Sequence, residues 1–392
     1  MKYYGWGLYF RLVWRTLTAG RDSFGRWTWR RLLIMPWFMP LFGLLQLEHR
    51  LCFLLDDIFF RGYRNIAVKE PVFIIGIPRS GTTFLHRCLS RDDRFTLFTT
   101  WELILAPSIT QRKVYRVLGR IDRLFGRPFQ RLILLIESHL LNEMNRMHET
   151  GLYETEEDFQ LFNPIFSCIL LLVPFPFPDL LYPLARFDTE IPADQRQHIM
   201  RFHRRCLQRH LYVHGADKRI LSKNPTFSTM VEGLRETYPD AHIACCVRRP
   251  DEALVSMLSL VSYFWQVFGN AKRGHDFRDI VLDLAAAFYR HPMERLPAWP
   301  PERAQFVRYD DLAKAPGDTV RGMYDHFGLD VPPALEEYLA ELDAKAASYR
   351  SPHKYAPENF DLTAQQIYQD FKDVYERFDF SPPDGHEEAD KV

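Results

Sequence analysis

A glycine-bounded loop between an apolar strand and a helix is the segment of this 392-residue chain best suited to chemistry. Residues 72–75 are Val-Phe-Ile-Ile, residues 76–81 read GIPRSG, and a helix is predicted to begin at residue 82. The backbone N–H groups of such a loop converge on an anion, and the dipole of the following helix adds partial positive charge. The pattern therefore predicts a phosphate-binding loop. Its candidate ligands are Arg79, Ser80, Gly81, Thr82 and Thr83.

The loop differs from the usual nucleotide-triphosphate loop at one position. Its spacing matches G-x-x-x-x-G-K-[ST], but Thr82 occupies the position of the lysine. That lysine normally reaches the β- and γ-phosphates, so its absence argues against ordinary ATP or GTP chemistry. We expect Arg79, inside the loop, to supply the cation instead.

A second strand-to-helix junction lies downstream, at residues 238–257. A strand is predicted to end at Arg248, Pro250 suits the first turn of the next helix, and Ser256 lies about two turns further on. Together the two junctions resemble those of sulfotransferases that use 3′-phosphoadenosine 5′-phosphosulfate (PAPS). The resemblance implies that the loop binds the 5′-phosphosulfate and that Arg248 and Ser256 hold the 3′-phosphate, a task that suits a bidentate guanidinium group.

Sulfuryl transfer needs a cation at the leaving oxygen and a base for the acceptor's proton, in addition to groups that position the donor. Residues 221–227, LSKNPTF, are similar to tyrosylprotein sulfotransferases and their bacterial relatives, in which a Lys-x-Pro lysine lies at the active site. In that branch a glutamate beyond the first helix acts as the base. The resemblance thus implies Lys223 and Glu102 as catalytic residues beside Arg79, and apolar walls that include Trp101 would raise the pKa of Glu102.

The base has further candidates, because the histidine of cytosolic small-molecule sulfotransferases is missing here. Those enzymes carry Lys-Thr-His where this chain has Lys223-Asn-Pro, which moves it away from that branch. The reserve candidates for the base are His148, Glu149, Glu156 and Glu157. The alternative interpretation of this charged cluster is a solvated helix face, or a helix start capped by Thr155. Two further candidates for the donor's 3′-phosphate are Arg350 and Lys354.

Composition limits the classes of protein that this chain can belong to. With 392 residues, 47% of them hydrophobic, the chain can form one large α/β domain with insertions or two modest ones. Lys plus Arg and Asp plus Glu both number 50, which gives no support for a nucleic-acid-binding protein. The six cysteines show neither metal-ligand spacing nor a paired framework. Such cysteines are typical of a reducing compartment, so we expect a cytoplasmic protein without a metal site.

The N-terminal region is basic and aromatic. Residues 1–31 contain seven basic side chains, one acid and four tryptophans. The uncharged run at residues 32–45 is broken by Pro36 and Pro40 and is shorter than the roughly 20 apolar residues of a membrane-spanning helix. This composition is typical of a segment in the membrane interface. The alternative is a helical layer packed on the catalytic domain with solvated arginines, and the two are compatible.

Short apolar strands alternate with helices, which predicts an α/β fold with a P-loop-like central parallel sheet and helices on both faces. We assign residues 1–70 to the aromatic, basic region, residues 71–380 to the catalytic domain, and residues 381–392 to a disordered tail. A mostly helical insertion is predicted at about residues 101–215. Its Pro/Phe-rich segment at residues 173–178 is predicted to be a loop or lid edge with exposed apolar surface over an acceptor site.

The leading hypothesis is a sulfotransferase that moves the sulfuryl group of PAPS to a hydroxyl or amine of an apolar, lipid-like acceptor. Transfer would be in line, with a carboxylate base, on a small-molecule or lipid substrate at the cytoplasmic face of a membrane. One alternative is an ATP-dependent small-molecule kinase of P-loop type, in which another cation would have to take the place of the absent lysine. The other is a non-catalytic nucleotide-binding scaffold on a membrane surface, against which the four intact residues Arg79, Lys223, Arg248 and Ser256 argue.

Overall fold

The computed structural model describes residues 1–132, 134, 151, 153–270, 274–346 and 361–383, and it contains a parallel five-stranded sheet. The strands are β1 (Val72–Gly76), β2 (Phe95–Thr96), β3 (Arg219–Lys223), β4 (His242–Val247) and β5 (Ala304–Arg308). Their spatial order is β2-β3-β1-β4-β5. Every residue of β1 and β4 is buried, as expected for central strands of a parallel sheet.

Helices precede, connect and follow these strands. In the first half of the chain they are α1 (Trp6–Leu17), α2 (Trp29–Phe59), α3 (Thr82–Leu89), α4 (Thr100–Ile104), α5 (Ile109–Leu124), α6 (Pro178–Leu181), α7 (Phe187–Glu190) and α8 (Ala193–His214). In the second half they are α9 (Val231–Thr237), α10 (Pro250–Val267), α11 (Gly274–Arg295), α12 (Tyr309–Lys314), α13 (Pro316–His326), α14 (Pro333–Ala346), α15 (Ala364–Asp370) and α16 (Lys372–Phe378). Short 3₁₀ helices lie at Arg61–Asn65, Asp158–Ile165, Ile169–Leu172, Tyr182–Arg186, Pro225–Thr229, Leu296–Ala298 and Pro301–Arg303.

The sheet is covered on both faces, which confirms the predicted fold class. Val72, Ile74 and Cys246 face a cluster formed with α3, α13 and α14. Phe73 and Cys245 face the opposite, larger cluster, to which α8, α9, α10 and α11 contribute. Adjacent residues of one strand thus enter different cores, because successive strand side chains point to opposite faces.

The N-terminal helices pack on this larger cluster. Helix α2 runs unbroken through Pro36 and Pro40, so the prediction that these prolines interrupt the apolar run is wrong. Both prolines lie on the exposed side of the helix, while Met35 and Met39 are buried on the other. Tertiary packing of one face therefore outweighs the local cost of proline. Among the described residues, α2 is the helix that could cross a membrane by length and composition, a criterion that core helices also meet.

The Pro/Phe-rich segment is buried, so the prediction of an exposed lid edge is also wrong. The side chains of Phe175 and Phe177 have almost no exposed surface. The ring of Phe175 lies 6.4 Å from that of Tyr9 on α1 and 6.1 Å from that of Phe38 on α2. The N-terminal helices therefore cover this segment, and their contribution could not be inferred from its own sequence.

Candidate functional site

The loop after β1 lies at the carboxyl edge of the sheet, where strands on both sides of β1 leave a crevice. Gly76 has a φ of 122°, and a Cβ there would overlap the backbone of Cys246 on β4. Gly81 has a φ of 88° and begins α3. The positive φ angles at both positions, and the close approach of Cys246 at Gly76, therefore require glycine. The hydroxyl of Ser80 donates to the carbonyl of Ile77 at 2.6 Å, which closes the turn between them.

Three predicted donor ligands meet beside this loop. The Nε of Arg79 donates to Ser256 Oγ at 2.9 Å, and Nη1 of Arg248 donates to the carbonyl oxygen of Arg79 at 3.1 Å. The guanidinium group of Arg248 also pairs with Glu252 at 2.7 Å and lies 4.1 Å from the ring centroid of Tyr309. The loop and the β4–α10 junction, distant in sequence, thus form one cationic site that suits a phosphorylated nucleotide.

Lys223 supplies a lysine from a neighbouring strand. It is the last residue of β3, its register partner on β1 is Ile74, and its side chain is only 1% exposed. Its Nζ donates to Thr83 Oγ1, on the first turn of α3, at 3.3 Å. The structure therefore places a buried ammonium group against the hydroxyl of a predicted loop ligand.

Two carboxylates accompany this lysine. Glu157 Oε1 lies 3.4 Å from Lys223 Nζ, and Glu156 Oε1 lies 3.9 Å from it. The backbone N–H of Glu156 donates to the carbonyl of Phe98, which holds the segment in place. Burial raises the pKa of Glu157, and the charge of Lys223 opposes that shift only in part. A carboxyl group with a raised pKa beside a buried ammonium group has the properties of a general base.

Glu102 occupies a different environment. Its Oε2 accepts from the N–H and hydroxyl of Thr99, at 3.2 and 3.0 Å, in the cap of α4. Its Oε1 lies 2.6 Å from His214 Nε2 and 3.5 Å from Arg112 Nε. Burial alone would raise the pKa of Glu102, but the hydrogen bond from His214 and the charge of Arg112 hold it well below its usual range. The described contacts bring Glu102 to neither the loop nor Lys223 and give it a structural ion pair.

His210 completes a small polar cluster around this glutamate. One ligand atom from each of Glu102, His210 and His214 lies within 4.8 Å of the others, a spacing that could hold a cation. The guanidinium group of Arg112 is buried against the same carboxylate, and it already supplies the compensating positive charge. Sequence reasoning missed these partners because they lie on α5 and α8, and no local motif joins them to α4.

Several predicted candidates cannot be placed. The reserve bases His148 and Glu149, and the closing-segment cations Arg350 and Lys354, lie outside the described residues. The same holds for the predicted tail beyond residue 383.

Comparisons with known proteins identify structures of similar fold. The structure is similar to the sulfotransferase STF1 of Mycobacterium tuberculosis, with a TM-score of 0.69, 21% identity, and coverage of 93% of this chain and 91% of that one. It is also similar to STF9 of Mycobacterium avium, with a TM-score of 0.71, 16% identity, and coverage of 96% of each chain. These two likenesses show a common fold.

Sequence comparison extends the similarity to curated proteins. The omega-hydroxy-beta-dihydromenaquinone-9 sulfotransferases Stf3 of Mycobacterium bovis and Mycobacterium tuberculosis are 27% identical to this chain over 344 residues, which cover 82% of this chain and 83% of each relative. A family model described as the sulfotransferase family matches residues 71–333, the region that holds the loop, Lys223 and Arg248. Because that match covers more than half of its length, the chain belongs to the sulfotransferase family, and it is a sulfotransferase enzyme.

Proposed function

We propose that this enzyme transfers the sulfuryl group of PAPS to a hydroxyl group of an apolar, lipid-like acceptor. The observation that carries the proposal is the convergence of Arg79, Lys223, Arg248 and Ser256 around the carboxyl ends of β1, β3 and β4. The name of the mycobacterial Stf3 proteins supports the choice of acceptor, since it describes a hydroxylated menaquinone derivative. The kinase alternative has no comparable support, because the chain belongs to the sulfotransferase family.

The donor would occupy the cationic site beside the loop. The N–H groups and hydroxyls of residues 80–83 face the 5′-phosphosulfate, and Arg248 and Ser256 hold the 3′-phosphate. Arg79 and Arg248 now bond to Ser256 and Glu252, respectively, and a phosphate would replace these partners with stronger, doubly charged ones. Donor binding thus requires Arg79 and Arg248 to exchange side-chain partners.

Lys223 and Glu157 would carry the transfer step. As the S–O bond to the donor phosphate breaks, negative charge grows on the leaving oxygen, and the ammonium group of Lys223 stabilises it. The acceptor oxygen forms the new S–O bond in line, and Glu157 takes its proton. The products are the sulfate ester and adenosine 3′,5′-bisphosphate, and the proton leaves the base for solvent. The raised pKa of Glu157 supports this assignment.

Glu102 is the second candidate for the base. The resemblance to tyrosylprotein sulfotransferases favours it, whereas its lowered pKa and its pairs with His214 and Arg112 favour a structural role. The two assignments differ in the expected effect of replacing each carboxylate.

The same proposal places the enzyme in the cytoplasm, with residues 1–70 on the inner face of a membrane. Supporting this placement, Trp14 on α1 and Trp37 on α2 are 66% and 72% exposed. A protein whose substrate is a lipid-like alcohol gains access to it by binding where that alcohol is dissolved. The equal numbers of acidic and basic residues give no reason to include a nucleic acid among its partners.

Incubation with radiolabelled PAPS and a hydroxylated isoprenoid quinone in detergent tests the proposal. We expect label in the quinone, and we expect adenosine 3′,5′-bisphosphate to raise the melting temperature far more than Mg-ATP does. Lys223→Ala should reduce kcat strongly, whereas Lys69→Ala, at an exposed lysine just before β1, should leave it unchanged. Transfer that survives Lys223→Ala would remove Lys223 from the mechanism, and stabilisation by Mg-ATP alone would overturn the donor assignment.

A further inference from the structure

Helix α2 buries polar residues beside apolar ones and exposes a long apolar side. Its side toward the protein carries the buried polar residues Arg31, Gln46, His49 and Asp56. Its exposed side is apolar along the whole length of the helix. The exposed residues are Trp29, Leu32, Leu33, Trp37, Leu41, Leu44, Leu47, Leu51, Leu54, Leu55, Ile58 and Phe59. So long a stripe greatly exceeds the scattered apolar residues of an ordinary soluble surface and marks an interaction surface.

Helix α5 adds a second exposed apolar face. Every described residue from 113 to 121 is exposed. Its exposed apolar residues recur at three- and four-residue intervals and so share one side of the helix. They are Val114, Val117, Leu118, Ile121, Leu124 and, just beyond the helix, Phe125. The neighbouring side is strongly basic, with Lys113, Arg116, Arg120 and Arg123.

The two exposed faces are held in a fixed relation by Asp56. This buried carboxylate of α2 accepts from the backbone N–H groups of Ile109 and Thr110, at 2.9 and 2.8 Å, at the start of α5. It also pairs with Arg209 of α8 at 3.0 Å. The apolar stripe of α2 and the basic, apolar helix α5 therefore move as one unit, anchored to the catalytic domain.

We propose that the exposed faces of α2 and α5 together form a docking surface for an anionic lipid bilayer. The leucine and tryptophan side chains would enter the interface between headgroups and acyl chains, while the cations of α5 would pair with lipid phosphates. Charge selects this occupant, since a second copy of the chain would bring the same cations face to face. The inference rests on the proposed function for the membrane placement of residues 1–70 and for the acceptor, and it adds α5 and the anionic lipid.

The position of α5 relative to the site explains how docking would serve catalysis. Arg112, in the first turn of α5, contacts Glu102 of α4 at 3.5 Å. The backbone N–H of Thr100, which begins α4, donates to the carbonyl of Glu154, and Glu157 follows three residues later at Lys223. A few contacts therefore connect the lipid-facing helix to Lys223 and Glu157, so docking through α5 would hold this pair on the membrane side of the protein.

Flotation of the full-length protein with lipid vesicles tests this surface. We expect the protein to float with vesicles that contain phosphatidylglycerol, to dissociate at high salt, and to bind pure phosphatidylcholine vesicles weakly. Neutralising three cations in Arg116→Gln/Arg120→Gln/Arg123→Gln should weaken binding to anionic vesicles on the order of 100-fold, because each cation near such a surface contributes about a factor of five.

A matched control removes the same charge elsewhere. The variant Arg295→Gln/Lys372→Gln/Arg377→Gln changes three exposed cations on α11 and α16 and should float like the unmodified protein. A second variant, Leu124→Ser/Phe125→Ser, changes side chains that are 83% and 77% exposed and should weaken binding to both kinds of vesicle without unfolding the chain. Equal flotation of the α5 variant and its control would overturn the proposal, as would concentration-dependent dimerisation that is lost in Leu124→Ser/Phe125→Ser.

Failure of this surface can be separated from failure of the proposed function. Stabilisation by adenosine 3′,5′-bisphosphate and sulfation of a detergent-dissolved acceptor do not require a bilayer. A protein that passes both tests but does not float would overturn the docking surface and the membrane placement of residues 1–70, and would leave the proposed reaction intact. A protein that floats but transfers no sulfuryl group would retain the surface and lose the proposed reaction.

Discussion

Replacement of Glu157 by glutamine separates the two candidate bases. Glutamine keeps the size and hydrogen-bonding shape of the side chain but cannot accept the acceptor's proton. Because general-base catalysis typically contributes about 10²–10⁴-fold, we expect kcat of Glu157→Gln to fall by about that factor. The KM for PAPS should change little, since the donor ligands Arg248 and Ser256 are untouched.

The pH profile gives the same test a second readout. Burial raises the pKa of Glu157 above its ordinary value of 4.5, so the acidic limb of kcat/KM should lie above pH 4.5 in the unmodified enzyme. Glu157→Gln should remove this limb from the residual activity. Glu102→Gln, the matched control, should keep the limb where it was.

The thermal stability of the variants tests the same assignment of the raised pKa to Glu157. A buried acid with a raised pKa is destabilised when ionised, so Glu157→Gln should not lower the melting temperature at neutral pH. Steady-state kinetics from pH 4 to 9 and a thermal melt of each variant complete the assay. If Glu102→Gln removes the acidic limb while Glu157→Gln retains full kcat, the base is Glu102 and the reasoning from pKa is refuted.

Three further predictions follow from the same contacts. Glu102→Gln should lower the free energy of unfolding at neutral pH by about 3–5 kcal/mol, because it leaves the buried Arg112 without its partner. Since the pKa of Glu102 is lowered in the folded protein, this loss of stability should become smaller as the pH falls below 4.5. Urea titration of both proteins at several pH values measures it. Arg248→Ala should weaken binding of adenosine 3′,5′-bisphosphate by about 10–100-fold in calorimetry, and Arg248→Lys should not restore it fully, because lysine lacks the fork; unchanged affinity would exclude Arg248 from the donor site. Gly76→Ala should destabilise the fold by about 3 kcal/mol or more, measured by urea unfolding, because the added methyl group meets the Cys246 backbone; an unaltered midpoint would contradict that clash.

The parts of the site that could be predicted from sequence are those whose residues lie close together in short, continuous segments. The loop at residues 76–83 and the β4–α10 junction each combine a strand end with a helix start, so their structure follows from local rules, while their binding of phosphate stays a prediction. The structure places Lys223 at the end of a strand. Its contact with Thr83 is a consequence of sheet order, which no local pattern specifies.

The parts that sequence did not predict depend on contacts between distant segments. Burial raises the pKa of Glu157 against the charge of Lys223, whereas the hydrogen bond from His214 and the charge of Arg112 lower the pKa of Glu102 in spite of burial. The continuity of α2 and the burial of the Pro/Phe-rich segment have the same cause, because the two segments pack against each other. Proline rules and exposure rules describe isolated segments, and here tertiary burial outweighed both.

The position of Lys223 on a strand has a consequence for how the activity can be lost. The face of the sheet to which the side chain of Lys223 points is fixed by the register in which β3 pairs with β1. A lysine in a loop would not depend on that register. Because side chains alternate along a strand, a shift of one residue in β3 would turn Lys223 to the opposite face of the sheet. On the proposed mechanism, an insertion or deletion within β3 should therefore inactivate the enzyme even when the loop and every other residue of the site are intact. Strand alignment, as well as residue identity, is the criterion for deciding which related sequences retain the reaction.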